Sequence, residues 1–166
     1  MKPAPVPIRV RPVRAADLDR LAGIAGSLET ASRWQLSDYE RLIGPFEPRR
    51  IALVGEEALS GEIAGFAVAV LVPPEAELET VAVAPGFQRR GIGSQLLRDL
   101  VSALRSAGIT LVHLEVRASN RPALALYRRT GFSESARRPG YYADPVEDAT
   151  IMSVDLPPLA GTSKES

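Results

Sequence analysis

Hydrophobic side chains recur with two different periods along the chain. In some segments they alternate with polar residues or run continuously, which is typical of strands, and in others they return every three or four residues, which is typical of amphipathic helices. The first pattern predicts strands at residues 8–11, 50–55, 63–71, 77–84, 109–116, 132–142 and 149–156. The second predicts helices at residues 17–28, 36–43 and 91–107, and a fourth from an N-cap at Asn120 through Thr130.

The order of these segments predicts the fold class. A turn near Ser60 and Gly61 joins the second and third strands, which indicates an antiparallel hairpin, whereas the later segments alternate strand and helix. A mixed α/β sheet with helices on both faces accounts for both patterns. The proline-rich residues 1–7 and residues 157–166 are expected to be flexible tails around one domain, residues 8–156.

Composition excludes several classes of protein. The 166 residues include 45% hydrophobic and 24% charged side chains with no formal net charge, so we expect no nucleic-acid or membrane partner. No apolar run approaches the roughly 20 residues of a membrane span, and the first residues lack the apolar core of a secretory signal, so a cytoplasmic location is expected. Cysteine is absent and His113 is the one histidine, so we expect no metal site.

A strand, a turn, two arginines and two glycines precede the third helix within residues 81–94. The first N–H groups of a helix lack intrahelical partners, and together with the helix dipole they favour a bound anion such as phosphate. Gly91 and Gly93 allow close approach to the backbone, while Arg89 and Arg90 attract the anion. A tight strand-to-helix turn with exposed arginines is the alternative interpretation.

Two common phosphate-binding motifs do not fit this segment. A P-loop needs a lysine after its last glycine, and no lysine follows either glycine here. A dinucleotide-binding loop needs a third glycine where Leu96 stands. We therefore expect neither nucleoside triphosphate hydrolysis nor a nicotinamide cofactor.

Three stretches resemble one protein family. Residues 88–93, Gln-Arg-Arg-Gly-Ile-Gly, are similar to the pyrophosphate loop of the GCN5-related N-acetyltransferase (GNAT) family. Residues 78–85 resemble its fourth strand, and residues 118–132 resemble its Asn-x-x-Ala-x-x-Leu-Tyr-x-x-x-Gly-Phe segment. Residues 114–120, 137–142 and 147–152 are similar to the ribosomal-protein-alanine N-acetyltransferase branch. The resemblance is dense from about residue 78 to residue 156 and thin before it.

This resemblance implies a fold and a donor. The implied fold is a central, mostly antiparallel sheet in which parallel strands 4 and 5 splay apart, and the implied donor is acetyl-CoA. The backbone N–H groups of the splayed strand, mainly those of Val81 and Val83, would pair with the donor and polarise its acetyl carbonyl. The residues implied in donor binding are Val81, Ala82, Val83, Gln88, Arg89, Arg90, Gly91, Ile92, Gly93, Ser94, Asn120 and Tyr127.

Direct transfer of an acetyl group to an amine requires a base and an acid. The resemblance implies Glu115 as the general base, acting directly or through water, and Tyr127 as the general acid toward the CoA sulfur. Alternation places Glu115 on one strand face with His113 and Arg117. The alternatives are therefore a solvated polar face with Glu115 paired to Arg117 or another arginine, or His113 as the base. The alternative role of Tyr127 is an aromatic anchor between its helix and the sheet.

The acceptor is expected to bind at Trp34, Tyr141 and Tyr142. Trp34 lies in a segment that weakly resembles the Pro-Trp-Ser of the branch, with Arg33 in place of the proline, and the tyrosines favour either a peptide groove or the stiffening of the sheet. The branch implies the N-terminal amine of a protein as acceptor, such as a ribosomal protein that begins with alanine. Two alternatives stay open: an enzyme for a small amine, favoured by Glu75, Glu77 and Glu79, and a CoA-binding module without turnover.

Overall fold

The structure, a computed structural model, describes residues 5–28 and 34–159. Within these ranges the chain forms seven strands and four α-helices. The strands are β1 (Ile8–Pro12), β2 (Arg50–Glu57), β3 (Ile63–Val72), β4 (Glu75–Val83), β5 (Leu111–Arg117), β6 (Ser133–Ala143) and β7 (Val146–Asp155). The helices are α1 (Leu18–Gly26), α2 (Leu36–Glu40), α3 (Ile92–Ser106) and α4 (Arg121–Arg129), with short 3₁₀ turns at Ala15–Asp17 and Pro85–Phe87.

All seven strands belong to one sheet in the order β1-β2-β3-β4-β5-β7-β6. Every neighbouring pair is antiparallel except β4 and β5, which are parallel. The predicted hairpin joins β2 and β3, and Gly61 in its turn has a φ of +73° that favours glycine. The mixed, mostly antiparallel sheet is thus confirmed.

Helices cover both faces of the sheet, as predicted. On one face, α3 buries Leu96, Leu97, Leu100 and Leu104, and α4 adds Leu124 to the same core. On the other face, α1 and α2 form a second core with Leu21, Ile24 and Tyr39 against β2, β3 and β4. The two faces therefore present different chemical surroundings to the middle of the sheet.

Local signals located the later helices better than the early ones. Gly91 is the left-handed N-cap of α3, Asn120 caps α4 through a hydrogen bond from the Ala123 N–H, and Gly131 follows α4 with a φ of +100°. By contrast, the predicted helix at 17–28 ends at Gly26, and the one at 36–43 ends at Glu40 before isolated turns. Most of the expected tails, residues 1–4 and 160–166, lies outside the described residues.

Strands β4 and β5 pair over only three residue pairs. Glu75, Ala76 and Glu77 lie opposite Leu111, Val112 and His113, and beyond Glu77 the two strands share no pairing. β5 instead pairs with β7 along its whole length. The splay of strands 4 and 5 implied by the family resemblance is therefore confirmed, and we call the place where they part the fork.

A β-bulge lies directly beside the fork. Val68 of β3 pairs with Thr80 and Ala69 pairs with Leu78, so Glu79 is an extra residue in β4. The bulge reverses which side chains face each core: Ala76 and Leu78 pack on the α3 face, whereas Ala82 packs on the α1 face and Val81 and Val83 pack on the α3 face. An extra residue bends a strand, which directs the end of β4 away from β5.

The close contact of β3 with the end of β4 depends on Gly65. A Cβ atom there would lie 2.6 Å from the Ala82 oxygen and 3.2 Å from both Leu96 Cδ1 and Val83 Cα. We expect Gly65→Ala to lower the free energy of unfolding by about 1–3 kcal/mol in urea titrations, because backbone and α3 must both shift. Gly23→Ala in α1 is the matched control, since its Cβ would meet nothing within 4 Å. Equal stability of the Gly65 variant and the wild-type protein would contradict this account of the fork.

Candidate active site

The backbone of β4 beyond the fork offers free hydrogen-bonding groups. The Ala84 N–H donates to the Ala64 oxygen at 2.8 Å, so in this antiparallel pair the N–H of Ala82 also points toward β3. The N–H and C=O groups of Val81 and Val83 alternate with these and point away from β3, into the gap beside β5. The Gln88 side chain already uses one of them, because its amide donates to the Val83 oxygen at 3.1 Å.

The loop after β4 leads into a helix start without a side-chain cap. Gly91 is the N-cap of α3, with a φ of +76°, and a Cβ on it would meet nothing within 4 Å. The first turn of α3 contains no acidic residue. The N–H groups of Ile92, Gly93 and Ser94 therefore stand at the positive end of the helix dipole with no intrahelical acceptor.

Two arginines precede this helix start. Arg89 is exposed and adopts a φ of +64°, which is uncommon for a residue with a side chain. Arg90 is half-buried, and within residues 5–28 and 34–159 no partner is found for its buried Nε. An uncapped helix start, an unpaired guanidinium nitrogen and an open glycine together fit a diphosphate group.

Helix α4 borders the same gap from the side of α3. Gly93 lies in van der Waals range of Val83 and Leu126, since a Cβ on it would be 3.5–3.8 Å from these side chains. Tyr127 follows on α4, two turns after Asn120, and its ring packs against Phe132 at 5.9 Å between centroids. Burial raises the pKa of Tyr127 to about 12, with a smaller contribution from Tyr142, so its hydroxyl stays protonated at neutral pH.

Glu115 of β5 faces the opposite side of the sheet, together with His113 and Arg117. Its side chain is 24% exposed, and its Oε1 lies 3.3 Å from Nη1 of Arg138 on β6. The carboxylate of Glu115 raises the pKa of the Tyr141 hydroxyl. Glu115 does form an arginine pair, but with Arg138 and not with its strand neighbour.

Arg117 instead connects three other elements. Its Nη1 lies 3.3 Å from Glu147 of β7, and its guanidinium stacks 4.3 Å above the ring of Tyr142. Glu147 also accepts a hydrogen bond from the Ser119 N–H at 2.6 Å, just before α4. This connection joins the turn that carries Asn120 to the β6–β7 hairpin that carries the tyrosines.

The fork opens into a cleft of about 270 Å³ on the face of Glu115. The side chains that line it are Trp34, Glu77, Leu78, Glu79, Glu115, Tyr141 and Tyr142. Six residues singled out in the sequence thus lie around one space: Trp34, Glu77, Glu79, Glu115, Tyr141 and Tyr142. Tyr127 is not among the lining residues, because it packs on the α3 side of the sheet.

A distorted stretch of β6 brings Arg138 and Tyr141 over the cleft. The pairing of β6 with β7 shifts between Arg138 and Tyr142, and Gly140 has a φ of +61°. Asp148 stabilises this stretch, because it accepts hydrogen bonds from the Gly140 N–H and from Arg137 Nε, both at 3.0 Å. Neither the pairing of Arg138 with Glu115 nor the role of Asp148 is predicted by the sequence pattern. The signal of a distortion in the sequence is the pair Pro139 and Gly140, which interrupts the strand pattern between Arg138 and Tyr141.

The chain matches a known protein family over most of its length. The model of the acetyltransferase (GNAT) family matches residues 20–132. The chain belongs to the GNAT family. A ribosomal protein bS18-alanine N-acetyltransferase of Salmonella typhimurium is 46% identical over 141 residues, which cover 80% of this chain and 95% of that protein. The N-alpha-acetyltransferase RimI of Mycobacterium tuberculosis is 33% identical over 151 residues, which cover 90% of this chain and 93% of that protein.

The solved structures agree with the sequence comparison. The crystal structure of the ribosomal-protein-S18-alanine N-acetyltransferase from Escherichia coli aligns with a TM-score of 0.79 at 33% identity, over 95% of this chain and 98% of that one. The chain is therefore an N-acetyltransferase that uses acetyl-CoA as donor. Neither the small-amine enzyme nor the CoA-binding module without turnover is favoured.

Two further findings concern possible partners of this acetyltransferase. In the part of the chain that the structure describes, no group of three or more metal-ligating side chains comes together. The helices of that same part are all too short or too polar to cross a membrane.

A negative charge at the start of α3 should separate stability from donor binding. We expect Ser94→Asp to raise the free energy of unfolding by about 0.3–1 kcal/mol, because an acid favours a helix N-terminus, and to weaken acetyl-CoA binding about tenfold, because it repels a diphosphate. Ser102→Asp, on an exposed middle turn of α3, is the matched control and should change neither quantity much. Calorimetric titration and urea unfolding measure the two effects. Unchanged acetyl-CoA affinity in the Ser94 variant would exclude the helix start as the diphosphate site.

Proposed function

We propose that this enzyme acetylates the N-terminal amine of a protein in the cytoplasm, and that its acceptor is a ribosomal protein that begins with alanine. The observation that carries the proposal is the cleft at the fork, where three carboxylates and three aromatic side chains surround a space open to solvent. An N-terminus is the end of a chain, so it can enter such a cleft while the rest of the acceptor stays outside. Relatives of this chain are alanine N-acetyltransferases of ribosomal protein bS18, which supports this acceptor. One domain, residues 8–156, would carry the activity.

The donor would bind on the α3 side of the fork. The first N–H groups of α3, from Ile92 to Ser94, would hold the diphosphate together with Gly91, Arg89 and Arg90, and Gln88 would fix the loop to β4. The N–H groups of Val81 and Val83 would donate to the pantetheine arm and to the acetyl carbonyl, with Ala82 between them. Asn120 and Tyr127 would contact the donor from α4. When bound, acetyl-CoA supplies the acetyl group as a thioester.

The chemistry needs one base and one acid. The two residues proposed for these roles lie on opposite faces of the sheet. Glu115 would take one proton from the acceptor ammonium, directly or through a water molecule, and pass it to solvent. The free amine would then attack the carbonyl that Val81 and Val83 would polarise, so that a carbon–nitrogen bond forms and the carbon–sulfur bond breaks. Tyr127 would give its proton to the departing sulfur and recover one from the nitrogen, so the net release is one proton.

The state of Tyr127 suits this role. A phenol with a pKa of about 12 is protonated across the physiological range, so it can donate a hydrogen bond to a sulfur that becomes negative. Tyr127 packs on the α3 side of the sheet and does not line the acceptor cleft. Trp34, Tyr141 and Tyr142 would form the walls around the acceptor's first residues.

The acceptor can be identified by mass spectrometry. The purified enzyme would be incubated with acetyl-CoA and with a peptide that begins with alanine, the same peptide with a blocked N-terminus, a lysine peptide with a blocked N-terminus, and spermidine. We expect that only the first peptide, with its free N-terminal alanine, is acetylated. Acetylation of spermidine but not of the free-amine peptide would contradict the proposed acceptor.

Two variants test the assigned acid and base in the same assay. Glu115→Gln and Tyr127→Phe should each lower kcat about 10²–10⁴-fold, since each removes a proton transfer, while the affinity for acetyl-CoA changes little. Tyr39→Phe is the control for loss of a buried tyrosine hydroxyl, since the retained ring keeps its contact with Trp34. A variant with wild-type kcat would remove that residue from its assigned role.

A further inference from the structure

Glu77 lies at the point where β4 and β5 part. It is the last residue of β4 that pairs with β5, and it lies opposite His113. Residues directly opposite each other in paired strands point to the same face, so Glu77 projects to the side of His113 and Glu115. Its side chain is half-buried and lines the acceptor cleft.

The other two carboxylates of the cleft already have cationic partners. Arg50 Nε lies 2.7 Å from Glu79, and Arg138 Nη1 lies 3.3 Å from Glu115. Glu77 has no hydrogen bond or ion pair with any residue in 5–28 or 34–159. It is therefore the carboxylate of the cleft that is left to bind something from outside.

The charged groups around Glu77 come from three strands. Burial raises the pKa of Glu77, the charges of Glu115 and Glu79 raise it further, and His113 and Arg138 act in the opposite direction. A half-buried carboxylate without a partner is unfavourable unless a cation approaches it. The ring of Trp34 also lines the cleft, and an aromatic ring stabilises a cation close to it.

The acceptor brings the missing cation. An α-amino group has a pKa of about 7.7–8.0, so most acceptor N-termini are protonated at neutral pH when they bind. Alkyl amines are fully protonated at this pH. We propose that Glu77 binds the ammonium group of the acceptor and holds it beside Glu115, so that Glu77 determines the preference for a cationic amine. This role rests on the proposed function of the cleft. Glu115 remains the proton acceptor, and Glu77 acts in binding.

The proposal predicts a division of labour between the two carboxylates. Glu77→Gln should raise the acceptor KM about tenfold or more, since a hydrogen-bonded charge pair is lost, while kcat and the KM for acetyl-CoA stay within about threefold. Glu75→Gln, an equal charge change on an exposed residue at the outer end of β4, is the matched control and should behave as wild type. Glu115→Gln should show the opposite pattern, a fall in kcat.

The acceptor KM should also depend on pH through Glu77. The bound ammonium needs the ionised carboxylate, so the KM should rise as pH falls through the raised pKa of Glu77, and this acidic limb should be absent in Glu77→Gln. A residue that only supports the fold would not remove one limb of a pH profile. An identical acidic limb in the variant would therefore overturn the proposal.

The choice of acceptors distinguishes the α-amine from a neighbouring side chain. Two peptides with the same N-terminal alanine, one with arginine and one with glutamine at the second position, would be compared with spermidine. An equal rise in KM for both peptides is expected, whereas a rise confined to the arginine peptide would show that Glu77 binds a side chain and would overturn the assignment. If the wild-type enzyme acetylates only spermidine, the proposed acceptor fails, but the comparison on spermidine still decides whether Glu77 binds the ammonium: an unchanged KM in Glu77→Gln would refute it.

Discussion

The parting of β4 and β5 after three residue pairs is the constraint on which the rest of the site depends. A sheet normally satisfies its backbone N–H groups by pairing, and an open stretch in the middle of a sheet needs another partner. Beyond Glu77 the α3 side of the gap carries Val83, Gln88 and the uncapped start of α3, while the other side carries Glu115 and the aromatic cleft. In our account, donor and acceptor meet through this gap from opposite faces.

Several unrelated details of the sequence maintain this opening. The extra residue at Glu79 bends β4, and Gly65 lets β3 keep contact with the bent end where any side chain would collide with backbone. On the other side, β5 is secured by β7, while Glu147 binds the turn after β5 and Asp148 binds the distorted stretch of β6. The tyrosines and Arg138 reach the cleft because Gly140 permits a distortion in β6 that a regular strand would not contain.

The sequence predicted the features that depend on neighbouring residues and missed those that depend on distant ones. Gly91, Asn120 and Gly131 determine helix ends locally, so these ends were correct, whereas α2 ends at Glu40 in spite of apolar residues that continue the helical spacing. The splay was predicted only from the family resemblance. The residues of β4 alone do not show that this strand pairs with β5 over only three residue pairs. The partner of Glu115 comes from β6, and the isolation of Glu77 depends on where Arg50 and Arg138 reach.

Amide hydrogen exchange at the end of β4 tests the open fork most directly. In the free enzyme, the Ala82 N–H should exchange slowly, because it points toward β3, whereas those of Val81 and Val83 should exchange quickly, because they face the gap. Acetyl-CoA should slow the exchange of Val81 and Val83 about tenfold or more and leave Ala82 unchanged. Equal protection of all three amides before the donor is added, or no change at Val81 and Val83 afterwards, would contradict the account.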